Sequence, residues 1–208
     1  MKYLVKTYNR IAEEYGKFNY NRYWTKELPM FKKFIKTMQG RKVIDIGCGA
    51  GRDAEEFVKN KFDYTGIDFS PAMLRVAKRR VPKAKFILMD FYKLKFPKES
   101  FEGFWASASL LHIPKKKLPK VLHSIWRLLK PHGVGFISVQ KKKDLDQGII
   151  VKDAFGGRIK KVKRFYAYYT KPEMKRVLEG SGFKVVNYTT KYETGRDLTW
   201  LCFFVRKK

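Results

Sequence analysis

The feature that most constrains the fold of this chain is a glycine-rich turn that follows a short apolar run. Val43–Ile46 has the apolar side chains and the length of a buried strand. Gly47, Gly49 and Gly51 follow it at every second position, and a segment with helical spacing comes next. Glycine permits a tight turn and lets a ligand approach the bare backbone. This order of strand, turn and helix predicts an α/β protein with a ligand site at the turn.

Short apolar runs and helix-length segments alternate over the rest of the chain, which predicts a mainly parallel sheet with helices on both faces. Seven strands are predicted, at residues 43–46, 64–67, 86–89, 104–107, 133–139, 183–188 and 198–205. The last two follow each other without an intervening helix, so we expect the last strand to run antiparallel. Ligands should bind where the carboxyl ends of the strands meet the topological switch.

Two helices have clear start signals. Ser70 is placed as an N-cap and Pro71 as the first helical residue. Thr170 and Glu173 have the spacing of a capping box. A further helix is predicted at residues 118–129, behind the fourth strand.

The chain of 208 residues has the length of one ordinary domain, and no linker or repeat divides it. We therefore expect a single domain over residues 1–208. Residues 1–40 contain aromatic and apolar side chains three and four positions apart, which predicts a helical N-terminal lid.

Cysteine content and apolar patterning limit the class of protein. Cys48 and Cys202 are the only cysteines, which excludes a disulfide framework and a multi-thiolate zinc site. The longest apolar stretches have the length of strands, so neither a signal peptide nor a membrane span is predicted. We expect a cytoplasmic protein without a membrane partner.

The charge balance is strongly basic. Forty-seven Lys and Arg residues against 19 Asp and Glu give a formal net charge of +28. A field of this size attracts polyanions such as nucleic acids. Because the lysines are spread along the whole chain, a general lysine bias or adaptation to heat explains the charge equally well.

Acidic residues nevertheless collect near the predicted strand ends: Asp45, Asp68 and Asp90. A carboxylate after the second strand can accept both hydroxyls of a ribose, and one after the third can accept an exocyclic amine. The glycine spacing differs from the dinucleotide pattern GxGxxG, and the further acids within Asp53–Glu56 would repel a pyrophosphate. The site is therefore predicted to bind a cationic nucleoside that lacks phosphate.

Several segments resemble the motifs of class I S-adenosylmethionine-dependent methyltransferases. Val43–Ala54 resembles their first motif, Gly66–Leu74 their second, and Met89-Asp90 their third. Trp105–His112 resembles the fourth-strand segment, and Leu128–Gly133 the turn into the fifth strand. The resemblance implies a three-layer Rossmann-like methyltransferase fold and S-adenosylmethionine as the cofactor.

The resemblance also implies roles for individual residues. The glycine loop would hold the methionine part of the cofactor, Phe69 and Met73 would flank the adenine, and Ser107 would line the sulfonium side. Tyr8 and Tyr15 would close over the methionine end, or they serve only in helix packing. The cofactor-binding residues implied are Tyr8, Tyr15, Asp45, Gly47, Gly49, Gly51, Asp68, Phe69, Met73, Asp90, Phe91, Ala106 and Ser107.

A methyl group on a sulfonium is already activated, so the enzyme mainly has to align the acceptor. His112 is the candidate catalytic base, because an unperturbed imidazole titrates near neutral pH; the alternative is a structural histidine in a loop. Neither cysteine is placed for covalent attack on a pyrimidine. No cluster of His, Asp and Glu has the spacing of metal ligands, so we expect no metal site.

The predicted substrate cap covers residues 141–169. Lys141–Arg164 contains nine basic and three acidic residues, and the aromatic run Phe165–Tyr169 follows it. Basic side chains beside aromatic rings can bind nucleic acid, and the cap loosely resembles that of wobble-uridine tRNA methyltransferases. The leading hypothesis is methyl transfer to a small molecule. The alternatives are methylation of RNA, such as tRNA, and a non-catalytic basic RNA-binding protein.

Overall fold

The computed structural model describes residues 2–144, 146–154, 157–193 and 197–208, with the backbone alone for residues 19–28. The helices are α1 (Lys2–Thr37), α2 (Ala54–Lys59), α3 (Pro71–Arg80), α4 (Leu118–Leu128) and α5 (Lys171–Gly180). The strands are β1 (Lys42–Ile46), β2 (Asp63–Asp68), β3 (Lys85–Leu88), β4 (Phe101–Ser107), β5 (Leu129–Gln140), β6 (Gln147–Ala154), β7 (Ile159–Ala167), β8 (Phe183–Glu193) and β9 (Leu198–Lys207).

In the described residues, seven strands form one sheet in the order β3-β2-β1-β4-β5-β9-β8. Strands β1 to β5 pair in parallel, and β9 runs antiparallel to both β5 and β8. This order confirms the predicted α/β sheet with an antiparallel last strand. The order reverses between β1 and β4, so their carboxyl ends flank the crevice where such folds bind ligands.

Helices cover both faces of the sheet. Leu122 of α4 and Leu178 of α5 are buried in the core on one face. On the other face Phe34 of α1 packs with Phe57 of α2 around Trp105. Burial of these large side chains fixes the three layers, because each contributes roughly 1.5–3 kcal/mol.

Both helix-start signals are confirmed. The Ser70 hydroxyl accepts a hydrogen bond from the Met73 N–H at 3.2 Å, and Pro71 is the first residue of α3. Thr170 and Glu173 form a reciprocal capping box at the start of α5. These caps satisfy N–H groups that have no partner within a helix.

The sequence did not predict that the region after β5 contains a two-stranded antiparallel hairpin, β6–β7, outside the main sheet. Thr7 of α1 donates a hydrogen bond to the Lys163 carbonyl at 2.9 Å, and Arg10 donates to the Lys160 carbonyl at 3.1 Å. The hairpin thereby lies against the N-terminal half of α1. Leu145, Phe155 and Gly156 of the predicted cap, and the side chains of residues 19–28 of the predicted lid, lie outside the described residues.

None of the helices in the described part of the chain combines the length and the apolar character that crossing a membrane would require.

Candidate functional site

The glycine turn lies at the carboxyl ends of β1 and β2. Gly47 and Gly49 have φ values of +81° and +54°, a region that side chains with a Cβ disfavour. The N–H groups of Gly47 and Cys48 donate to the Ile67 carbonyl at 2.8 and 3.0 Å. These two bonds fix the turn against β2, and the backbone of the turn faces the crevice.

Asp68, the last residue of β2, faces the same turn. Its Oδ2 accepts the Gly49 N–H at 3.0 Å, and its Oδ1 accepts the Ser70 N–H at 2.8 Å. Burial raises the pKa of Asp68 to about 6, although the backbone N–H groups of Ser70, Gly49 and Phe69 oppose that rise. At neutral pH this carboxylate is ionised and held in one orientation.

A cavity of about 380 Å³, part of it open to solvent, lies beside Asp68. The ring of Phe69 packs against those of Tyr8 and Phe91, with centroids 5.8 and 5.5 Å away. Ten residues singled out in the sequence line this cavity: Tyr8, Tyr15, Gly47, Gly49, Asp68, Phe69, Met73, Phe91, Ser107 and His112.

A second cavity of about 440 Å³ shares the glycine turn and contains Asp45. The Tyr64 hydroxyl donates to Asp45 Oδ2 at 2.8 Å, and burial followed by the nearby charge of Asp53 holds the pKa of Asp45 well above its usual range. Asp53 accepts from Arg52 Nη2 at 2.8 Å and from Trp105 Nε1 at 2.7 Å. Its charge is therefore compensated inside the protein, which weakens the argument that it repels phosphate.

Both ring nitrogens of His112 are engaged. Nδ1 lies 2.6 Å from the Phe165 carbonyl oxygen, and Nε2 lies 2.6 Å from the Tyr8 hydroxyl. A carbonyl can only accept, so Nδ1 carries the proton and Nε2 accepts from Tyr8. These two hydrogen bonds link the hairpin to α1 and require the tautomer with the proton on Nδ1.

Burial lowers the pKa of His112 to about 4, although its bond to the Phe165 carbonyl opposes this shift. The imidazole is therefore neutral at pH 7 and able to accept a proton. A group with so low a pKa is a weaker general base at neutral pH than an unperturbed histidine.

Three residues singled out in the sequence lie outside the walls of both cavities. Asp90 is half-buried, and its Oδ1 accepts the Tyr92 N–H at 3.0 Å. The side chain of Ala106 is fully buried in the core. Gly51 has a φ of +76° and packs directly on Ala77 of α3, where an added Cβ would lie 2.9 Å from the Ala77 Cβ.

Sequence reasoning missed two residues that line the cavity after β4. Ala108 has a φ of +56°, a conformation that non-glycine residues avoid and that is typical of functional sites. The Ser109 hydroxyl is buried in the cavity wall without a hydrogen-bond partner among the described residues. Residue type alone carries no signal for either position, because both depend on how the backbone leaves β4.

Comparisons with known proteins agree with this geometry. The sequence pattern of the family described as "Methyltransferase domain" matches residues 43–133. A demethylmenaquinone methyltransferase of Renibacterium salmoninarum is 35% identical over 101 residues, which are 48% of this chain and 41% of that protein. The chain thus spans less than half the length of this curated relative.

Solved structures match over more of the chain. A 1,6-didemethyltoxoflavin-N1-methyltransferase of Burkholderia thailandensis, solved with 1,6-didemethyltoxoflavin and S-adenosylhomocysteine, has a TM-score of 0.75 at 21% identity and covers 100% of this chain and 88% of its own. The PH0226 protein of Pyrococcus horikoshii has a TM-score of 0.76 at 19% identity and covers 97% and 98%. At these identities the likeness shows the fold.

Proposed function

We propose that this chain, which carries the methyltransferase domain of the class I S-adenosylmethionine-dependent family, transfers a methyl group from S-adenosylmethionine to a small molecule. The observation that carries the proposal is the pairing of Asp68 with the glycine turn. A buried carboxylate, oriented by the Gly49 N–H, faces a cavity bounded by bare backbone. This arrangement suits a ribose next to a cationic group.

The residues present fit S-adenosylmethionine. An added Cβ at Gly49 would meet only the Tyr15 ring at 3.7 Å, so the backbone there is open to a ligand. The Asp68 carboxylate would bind the ribose hydroxyls, and Phe69 and Met73 would contact the adenine. Gly47 and the second cavity, with Asp45, would hold the methionine part.

When bound, S-adenosylmethionine supplies a methyl group that is already activated for displacement. The protein's task is to align the acceptor and to exclude water. In our proposal α1 forms a lid through Tyr8 and Tyr15, and the segment 141–169 caps the acceptor site. Where the acceptor must lose a proton, His112 Nε2 receives it through the Tyr8 hydroxyl, which occupies that nitrogen here.

The acceptor that we propose is a small molecule, because several basic side chains of the cap pair with acids of this chain and are less available to the phosphates of a nucleic acid. Lys142 pairs with Asp146 at 3.2 Å, and Lys160 pairs with Asp153 at 2.9 Å. RNA stays the alternative acceptor, since exposed lysines such as Lys161 and Lys163 lie on the hairpin. Because Cys48 and Cys202 are buried and form no disulfide with each other, we also propose a cytoplasmic location.

Calorimetry with S-adenosylmethionine tests the cofactor site. We expect binding in the micromolar range and a loss of affinity of about tenfold or more in Asp68→Ala. Asp63→Ala is the matched control, because Asp63 is an exposed carboxylate at the opposite end of β2. Equal affinities in the two variants would contradict the ribose assignment.

Incubation with methyl-labelled cofactor and separate pools of metabolites, tRNA and protein tests the acceptor. We expect label in the metabolite pool. Label in tRNA would favour the RNA alternative. Cofactor binding without transfer to any pool would favour a non-catalytic role.

A further inference from the structure

We propose that Arg164 on β7 forms an oxyanion site at the mouth of the candidate cavity, and that the acceptor carries a carboxylate or phosphate group that binds there. The proposal rests on the proposed function and adds the chemical class of the acceptor. Its basis is a half-buried cation that lacks an acidic partner among the described residues.

The position of Arg164 is fixed by two backbone anchors. The carbonyl of the preceding residue, Lys163, accepts from Thr7 of α1, and that of the following residue, Phe165, accepts from His112. Residues on a strand alternate between its faces. Val162 and Tyr166 are buried while Lys163 is exposed, so the Arg164 side chain projects from the face of β7 that covers the site.

The surroundings of the guanidinium are aromatic and polar but not acidic. It lies 5.5 Å from the centroid of the Tyr166 ring and next to the Tyr8 hydroxyl. Within the described ranges, no carboxylate lies at ion-pair distance from Arg164. Partial burial of a charge without an acidic partner is costly, and one hydroxyl and a ring face leave most of its five N–H donors unused.

Two other arginines near the site show the contrast. Arg52 donates to the carboxylate of Asp53. Arg80 donates to the carbonyl oxygens of Ala50 and Gly16 at 2.8 Å. Arg164 has no such acceptor from the described chain, and an acceptor molecule with an oxyanion would supply one in bidentate geometry.

A second polar group lies in the wall of the candidate cavity, next to which Arg164 is placed by its contact with Tyr8. The Ser109 hydroxyl is buried in the wall that also contains Tyr8 and His112, and no described group bonds to it. Native proteins rarely leave such a group without a partner. The positive charges of the cofactor and Arg164 would both favour an anion.

Saturation-transfer NMR on the protein saturated with S-adenosylhomocysteine tests the proposal. The probes are acetate for carboxylates, methyl phosphate for phosphates, and acetamide as the neutral analogue of acetate. We expect at least one oxyanion to bind and acetamide not to bind. Arg164→Gln should weaken the oxyanion by about tenfold or more, while Arg164→Lys should retain part of the affinity.

Lys163→Gln is the matched control, because it removes the same charge from the neighbouring residue on the opposite face. Both Gln variants should bind S-adenosylhomocysteine within about threefold of wild type, which also verifies folding. The inference is overturned if no oxyanion binds the wild type, or if Arg164→Gln and Lys163→Gln weaken it equally. A separate titration with S-adenosylhomocysteine alone separates the outcomes, because failure of that ligand to bind counts against the proposed function and not against the oxyanion site.

Discussion

His112 is held in the site as a neutral ring with its proton on Nδ1. The Phe165 carbonyl cannot donate, and the Tyr8 hydroxyl can donate only to an unprotonated Nε2. Protonation would place a charge in a buried position and break the bond from Tyr8. The ring should therefore resist protonation well below the pH at which an ordinary histidine titrates.

We predict that ¹⁵N NMR will show this tautomer from pH 8 down to about pH 5, consistent with a pKa of about 4. Because the pKa is lowered on folding, the stability that it contributes is present above about pH 6.5 and is lost as the pH falls towards 4. Tyr8→Phe removes the donor to Nε2 and should raise the pKa of His112. Titration of the wild-type ring near pH 6.5 would contradict the assignment.

The titration of Asp68 should make both cofactor affinity and protein stability depend on pH. Affinity should rise with pH, whereas the free energy of unfolding should fall. The ionised form accepts hydroxyl donors, so cofactor affinity should fall by up to about tenfold per unit as the pH drops below 6. Folding raises this pKa from 3.8, so the free energy of unfolding of the ligand-free protein should decrease as the pH rises from about 4 to 6. Calorimetry and urea unfolding measure the two effects.

Asp68→Asn is the control for both measurements. Its cofactor affinity should be low and nearly independent of pH, and its stability curve should lack the Asp68 contribution. A wild-type affinity that stays constant between pH 5 and 8 would show that Asp68 does not bind the cofactor.

At the scale of elements, the sequence predicted most of the main sheet because each element has a local cause. The glycine turn, the Ser70-Pro71 start of α3 and the Thr170 capping box all act within a few residues. The hairpin β6–β7 depends instead on contacts with α1, more than 150 residues away, such as Thr7 with Lys163. Arg164 could not be assigned to the site from the sequence, because its position depends on how the hairpin packs against α1.

Within the site, too, the sequence predicts the residues that local geometry places and misses those that depend on long-range packing. Asp68 and the glycines are placed by short-range geometry, so the residue pattern indicated them. Ser109 enters the cavity through the positive φ of Ala108, which no local pattern signals. Asp90 has the pattern of a site residue, and its Oδ1 accepts the Tyr92 N–H, so its contact with the adenine stays a prediction.

Substitutions at Gly49 and Gly51 can separate two roles of the glycine turn. We expect Gly51 to serve packing against α3 and Gly49 to leave space for the ligand. Both have positive φ, so Ala at either position costs about 1–2 kcal/mol of stability. At Gly51 the added Cβ would also lie 2.9 and 3.0 Å from Ala77 of α3, and overpacking adds about 1–3 kcal/mol.

We therefore predict that Gly51→Ala loses about 2–5 kcal/mol of unfolding free energy, whereas Gly49→Ala loses about 1–2 kcal/mol. Gly49→Ala should instead lose cofactor affinity by about tenfold, because its Cβ would occupy space left for the ligand. Urea denaturation and calorimetry on both variants measure the contrast. Equal stability losses would show that the contact with Ala77 does not determine the role of Gly51.

At the scale of the whole molecule, the net charge of +28 opposes a cationic cofactor. The field of such a protein reaches several kT at low ionic strength, when the Debye length is about 30 Å at 0.01 M. The Asp68 carboxylate lies in the cavity wall and offsets this field only locally. S-adenosylmethionine carries one more positive charge than S-adenosylhomocysteine, so the two ligands sense the field differently.

We predict that raising the ionic strength from about 0.01 to 0.2 M strengthens S-adenosylmethionine relative to S-adenosylhomocysteine by roughly threefold or more, because salt screens the distant lysines better than the short contacts in the cavity. Calorimetry in one buffer series gives the dissociation constant of S-adenosylmethionine divided by that of S-adenosylhomocysteine. This ratio cancels salt effects that are common to both ligands. Asp68→Asn should increase the ratio at every salt concentration while leaving its salt dependence unchanged. A ratio independent of salt would mean that the acids around the glycine turn already neutralise the field at the site, and the basic surface would then have no influence on the choice of cofactor.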